Sequence, residues 1–216
     1  MLRLGPPGAA GAPLVLIAPA LFEEANRTRA FTVAIMRGLA DRGIASALPD
    51  LPGTNDSLLP TQEARLPDWR AAFAACAAEQ PAFGFAVRGG TLVDGDATLR
   101  GRCHLAPVAG ASLVRDMVRA RRARGGDEPF AAEAVDSPGP PVELAGNHLA
   151  RELIAALKQA EPSPADRILR LDSDSRAADR TLPGRTLWRS SEPDNDPALA
   201  QAIADDLAQW VRTCGG

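Results

Sequence analysis

Tyrosine is absent from this 216-residue chain, and Phe and Trp leave aromatics at only 4%, so the core must be built from Ala, Leu, Val and Ile. Cysteine is scarce. Cys76, Cys103 and Cys214 are too few and too widely spaced for a disulfide framework or a Cys-x-x-Cys metal or redox motif, which points to a reducing compartment. No run approaches the roughly 18 apolar residues that span a bilayer, and no basic start leads into an apolar stretch. The expectation is a cytoplasmic protein without a membrane span. Positive charge is not in surplus either: a formal net charge of −3 argues against broad capture of nucleic acid or anionic membrane. No Ser/Gly-rich or charged linker divides the chain, so residues 1–216 read as a single domain. No cofactor or metal motif is found.

What is present alternates. After a Gly/Pro/Ala-rich leader over residues 1–12, expected to be irregular, Leu14-Val15-Leu16-Ile17-Ala18 is a short apolar run ending at Pro19. That is the pattern of a strand buried on both faces. Residues 29–41 carry a helical apolar stripe stopped at Gly43, and Ile44 to Leu48 supply the next strand. A turn-rich stretch, Pro49 to Ser57, precedes a helix from Trp69 to Ala78. Phe83 to Val87 is a third strand running into Arg88-Gly89-Gly90, where the glycines allow a sharp turn and Asp94-Gly95-Asp96 keeps any following helix short. Cys103 to Ala106 is a fourth strand, followed by a helix over residues 112–124.

Residues 125–141 read as a loop, either a flap over the sheet's top edge or a passive excursion. Val142 to Ala145, a helix from Asn147 to Gln159, and strands at Arg167–Leu171 and Thr186–Trp188 follow. A final helix, Pro197 to Val211, closes the chain. The fold class implied is α/β: a doubly wound, mostly parallel sheet with helices on both faces.

The order of these pieces resembles the α/β-hydrolase superfamily, and more narrowly the exosortase A system-associated hydrolases of type 2. The residues carrying the resemblance are Pro19 to Arg29 after the first strand and Asp50 to Ser57 after the second. His104 to Gly110 with its Arg-rich helix, Val142 to Gly146, and Leu187-Trp188 before Glu192-Pro193 also fit. The resemblance implies a bacterial protein encoded beside machinery for exopolysaccharide production and protein sorting. It also implies a triad in the chain order Ser, Asp or Glu, His, with the serine on a Gly-x-Ser-x-Gly elbow.

Here the elbow reads Ala86-Val87-Arg88-Gly89-Gly90. A guanidinium donates hydrogen bonds and accepts none, so Arg88 cannot attack an acyl carbon. Asp172 and Asp174 match the acid position. Trp188-Arg189-Ser190-Ser191 follow the last strand, and no histidine stands there; His104 and His148 come too early in the chain and read as structural.

Three readings of the site remain open. Arg88 closes the elbow through an ion pair with Glu23 or Glu24, which are expected in the loop after the first strand. Alternatively Arg88, Gly89, Asn26 and Arg29 bind a small anionic ligand. The last is residual ester or thioester hydrolysis, with Glu23, Glu24 and Asp174 as catalytic candidates or a displaced nucleophile such as Ser57, Ser190 or Ser191. The basic run Arg115, Arg119, Arg121, Arg122 and Arg124 reads as a solvated helix face or as a docking surface for an acidic protein partner, the latter if the chain is a structural or interaction subunit.

Overall fold

The computed structural model describes residues 1–6, 11–124, 135–144 and 146–214. Strands β1 (Leu2–Leu4), β2 (Leu14–Ala18), β3 (Ala45–Leu48), β4 (Ala82–Val87), β5 (Arg102–Leu105), β8 (Arg167–Leu171) and β9 (Arg180–Leu182) form one sheet. Its spatial order is β1-β3-β2-β4-β5-β8-β9. All pairings are parallel except β1 with β3. A separate hairpin pairs β6 (Val142–Leu144) with β7 (Asn147–Leu149). The helices are α1 (Glu23–Asp41), α2 (Leu66–Ala78), α3 (Gly110–Arg124), α4 (Arg151–Gln159) and α5 (Pro197–Cys214).

Period-two side-chain alternation divides the interior into two cores. Leu14, Leu16 and Ala18 of β2 face the apolar stripes of α2, α3 and α4, with Trp69, Phe73 and Leu153 among the buried residues. Val15 and Ile17 face α1 and α5, where Phe31, Ile35, Ile203 and Leu207 pack. Helices therefore cover both faces, as the fully apolar central strands require. No helix among the described residues is long and apolar enough to cross a membrane.

Four expectations are corrected. Leu2–Leu4 is not irregular leader: it pairs antiparallel with Ser46 to Leu48 and covers the sheet's edge. α1 starts at Glu23 rather than near Arg29, because two acids in its first turn complement the helix dipole and offset the missing side-chain cap. Asn147 to Leu149 form a strand instead of the start of a helix, so His148 sits exposed on β7. Thr186 to Trp188 are not the last strand. Leu187–Arg189 make a 3-10 turn, and the edge strand is Arg180–Leu182, where a polar sequence hides a partner already present in β8. Within the proposed flap, residues 125–134 lie outside the described residues. The cysteines are all free thiols.

Candidate functional site

The chain leaves β2 and β4, neighbours at the centre of the sheet, and turns away in opposite directions, so the loops after them flank a crevice at the strands' carboxyl ends. Arg88 stands at the head of the turn after β4 with φ 54, a left-handed conformation that strains any side-chain-bearing residue. The bend is held from below. A Cβ on Gly90 would be driven into the carbonyl groups of Ala18 and Pro19, so the turn and the β2–α1 loop approach as closely as backbone permits. Thr91 Oγ1 donates 2.8 Å to the Arg88 carbonyl and ties the turn back on itself.

Glu24 and Arg88 meet across this crevice. Arg88 Nη2 donates to Glu24 Oε1 at 2.9 Å and Nε to Oε2 at 3.2 Å, a two-point fork on the carboxylate. The side chains are 5% and 13% exposed. Arg88 Nη1 reaches the Ala106 carbonyl at 3.4 Å, and the guanidinium lies 5.1 Å from the centre of the Trp188 ring, which caps it. Trp188 is itself anchored: Arg27 Nη1 donates to its carbonyl at 3.1 Å. The sequence did not reveal this cap, because nothing in residues 88 and 188 alone signals that β9 returns the second beside the first.

The remaining sequence candidates scatter. Glu23 faces Arg27 at 3.7 Å from the first turn of α1. Gly89 is buried, and a Cβ there would lie 3.0 Å from Leu113 and 3.2 Å from Leu21, so it packs beneath those side chains. Asn26 and Arg29 line a different cleft, one Arg88 does not enter. Asp174 accepts from Arg176 and Arg170 at 2.7 and 2.9 Å. Those arginines, Arg176 foremost, hold its carboxyl well below the usual range, which makes it a weak base. Ser57 Oγ accepts from the Gly53 and Leu59 amides and braces a turn. His104 is buried, with Nε2 2.9 Å from Asp94 Oδ2, while Asp94 Oδ1 accepts from Ser163; this network staples β5 to the turn after β4.

Two lobes open around the Arg88–Trp188 pair, about 500 and 550 Å³ in volume. The first runs between the start of α1 and the apolar residues Leu113, Met117 and Ala120 of α3. The second is polar and basic: Arg88, Arg115, Arg119, Arg176 and Arg189 line it against the carboxylates of Asp116 and Asp174. Arg119 is taken by Asp116 and Arg176 by Asp174. Arg115 bonds the Ser112 hydroxyl, and neither it nor Arg189 has a carboxylate partner among the described residues. The basic run on α3 is thus divided, since Arg121 turns to Glu143 on β6 instead. Among the described residues no cluster of His, Cys, Asp and Glu is placed to hold a metal ion.

No protein-family model and no curated protein matches the sequence. Solved structures do match in shape. Est1E from Butyrivibrio proteoclasticus, determined with ferulic acid bound, superposes with a TM-score of 0.61 at 15% identity, covering 97% of this chain and 93% of its own. The NocB thioesterase domain, determined as a covalent complex with a fluorophosphonate nocardicin G analog, gives 0.53 at 17% identity over 96% and 98%. Alpha/beta hydrolase domain-containing protein 10 from mouse gives 0.52 at 17% identity over 97% and 93%. These likenesses and the mostly parallel sheet show an α/β-hydrolase-like fold.

Proposed function

We propose that this chain uses the α/β-hydrolase fold without serine-hydrolase chemistry and serves as a binding protein for an anionic ligand, held in the basic lobe beside the elbow. The observation that carries the reading is the elbow itself. Arg88 occupies the nucleophile's position in the strained turn, Glu24 neutralises it, and Trp188, following the last strand where the fold's base belongs, lies across it. A ligand does not need Arg88, whose charge Glu24 already neutralises; Arg115 and Arg189 supply the uncompensated charge, and Ser173 and Ser175 line the same lobe. Fold alone does not confer an activity, so the likeness to esterases leaves this reading intact. The resemblance of the ordered motifs to exosortase A system-associated hydrolases of type 2 supports a bacterial, cytoplasmic setting beside exopolysaccharide machinery.

The test has two readouts on the purified chain. Incubation with a fluorophosphonate probe is expected to leave the intact mass unchanged while a control serine hydrolase is labelled. Pyrophosphate is expected to raise the thermal midpoint, and Arg115→Gln with Arg189→Gln is expected to abolish that rise, since two charge-assisted contacts are lost. A single-site serine adduct would end the non-hydrolytic part. An undiminished rise in the double variant would end the assignment of the ligand to this lobe.

A further inference from the structure

A second cleft, about 270 Å³, lies on the far side of the β2–α1 loop from Arg88, outside the carboxyl ends of β2 and β3. Leu21 and Phe22 form the partition, facing this cleft and the first lobe by the elbow. One face of α1 makes a wall, presenting Phe22, Asn26 and Arg29 at helical spacing. Phe22 supplies an aromatic surface, backed by the buried ring of Trp69 with its centre 5.7 Å away. Two of the four non-glycine residues with positive φ among the described residues, Phe22 and Asn55, border this space. Strain of that kind is maintained where a wall must hold a particular shape.

Several of the polar side chains here spend their protons on the protein itself. The hydroxyls of Thr32, Thr54 and Thr61 already donate to backbone carbonyls. The Trp69 indole donates to the Pro52 carbonyl at 2.7 Å. Asn55 donates to Asp50, and Asp50 also receives the Met1 amino group, so that acid is occupied elsewhere. No carboxylate among the described residues lines the cleft. Arg29 is its one charged residue and has no partner among the described residues, and the Asn26 amide three residues earlier is likewise unengaged. Two exposed donors stand together beside an apolar, partly aromatic hollow too small for more than a dozen or so heavy atoms.

We propose that this cleft binds a small monocarboxylic acid with a flat apolar body, its carboxylate held by Arg29 and Asn26 and its ring against Phe22, which packs on the buried Trp69. A carboxylate offers the planar pair of acceptors that a guanidinium and an amide can share, and a single charge balances the single arginine. The site is independent of the basic lobe, because Arg115 and Arg189 do not reach it and Arg29 does not line that lobe.

Benzoate and benzamide, which share size and ring but differ in charge, are the probes. Saturation-transfer NMR on the full chain is expected to show benzoate binding saturably and benzamide binding at least about tenfold more weakly, the difference one charge-assisted contact makes. Arg29→Gln, at an exposed position, is expected to weaken benzoate about tenfold while leaving the pyrophosphate response unchanged. Equal binding of the two probes, or full benzoate affinity in Arg29→Gln, overturns the proposal. A benzoate loss in Arg115→Gln with Arg189→Gln that Arg29→Gln does not reproduce places the acid in the basic lobe and overturns it too.

Discussion

Glu24→Ala is expected to lower the unfolding free energy by about 3–5 kcal/mol, because it leaves the Arg88 guanidinium buried without its carboxylate. For a chain of this length that corresponds to a fall in Tm of roughly 10 °C. The magnitude follows from burial: both side chains are shielded well beyond the level at which solvent reduces an ion pair to a fraction of a kcal/mol. Trp188 and the Ala106 carbonyl cannot replace the lost acceptor, since neither carries a negative charge. Pairing Glu24→Gln with Arg88→Met removes both charges while keeping similar volumes, and the double variant is expected to recover most of the loss. Thermal denaturation of wild type, Glu24→Ala and the double variant is the measurement. A Tm for Glu24→Ala within about 2 °C of wild type would show that water reaches Arg88 freely.

The second large effect lies at the opposite, amino ends of the strands. Asp206 of α5 accepts from Arg167 Nε and Nη2 and from Arg180 Nη1, each at 2.7 Å, and thereby fastens β8 and β9 to the helix. Its side chain is 1% exposed, although both arginines retain contact with water. Burial alone would push the Asp206 carboxyl up, but the hydrogen bonds and charges of Arg167 and Arg180 outweigh it and hold the group below its ordinary value. The direction sets the pH dependence. A carboxyl depressed in the folded state contributes its full stability above the unfolded value near pH 4, and the contribution is lost as pH falls through the folded value. Asp206→Asn is therefore expected to cost about 2–3 kcal/mol at pH 7, discounted for the hydrated arginines, and to make the decline in stability below about pH 4 shallower than in wild type. Urea titrations at pH 7 and pH 3 measure both quantities. Parallel losses in the two proteins across that interval would remove Asp206 as the source.

The central strands were legible in the sequence because Leu14 to Ala18 and Phe83 to Val87 are buried on both faces and so are apolar throughout. Edge strands lack that constraint. β1 and β9 are short, each contains an arginine, and each pairs on one side only, which leaves no continuous apolar run to recognise. The start of α1 was missed for a local reason, since Phe22 caps it with an unusual φ and no side-chain bond in place of the Ser, Thr, Asp or Asn that usually announces a helix. At the site, the charged character of residues 23, 24 and 88 was legible, and the crossing of adjacent loops followed from topology. The choice of Glu24 over Glu23 was not, because it depends on which helical position faces β4. Placing Asn26 and Arg29 with Arg88 failed for the same reason: one helical turn carries them past the Leu21–Phe22 partition.

The bridge at the elbow also makes residues 24 and 88 a mutational lock. An Arg88→Ser change sets a hydroxyl in the strained turn but strands the Glu24 carboxylate without its guanidinium, while Trp188→His uncovers a cation that repels any protonated imidazole. Each change taken singly descends into a valley of lower stability. A lineage carrying this pair moves to a different elbow by changing several residues together, and chance substitutions accumulating one at a time work as a ratchet that keeps the arginine in place.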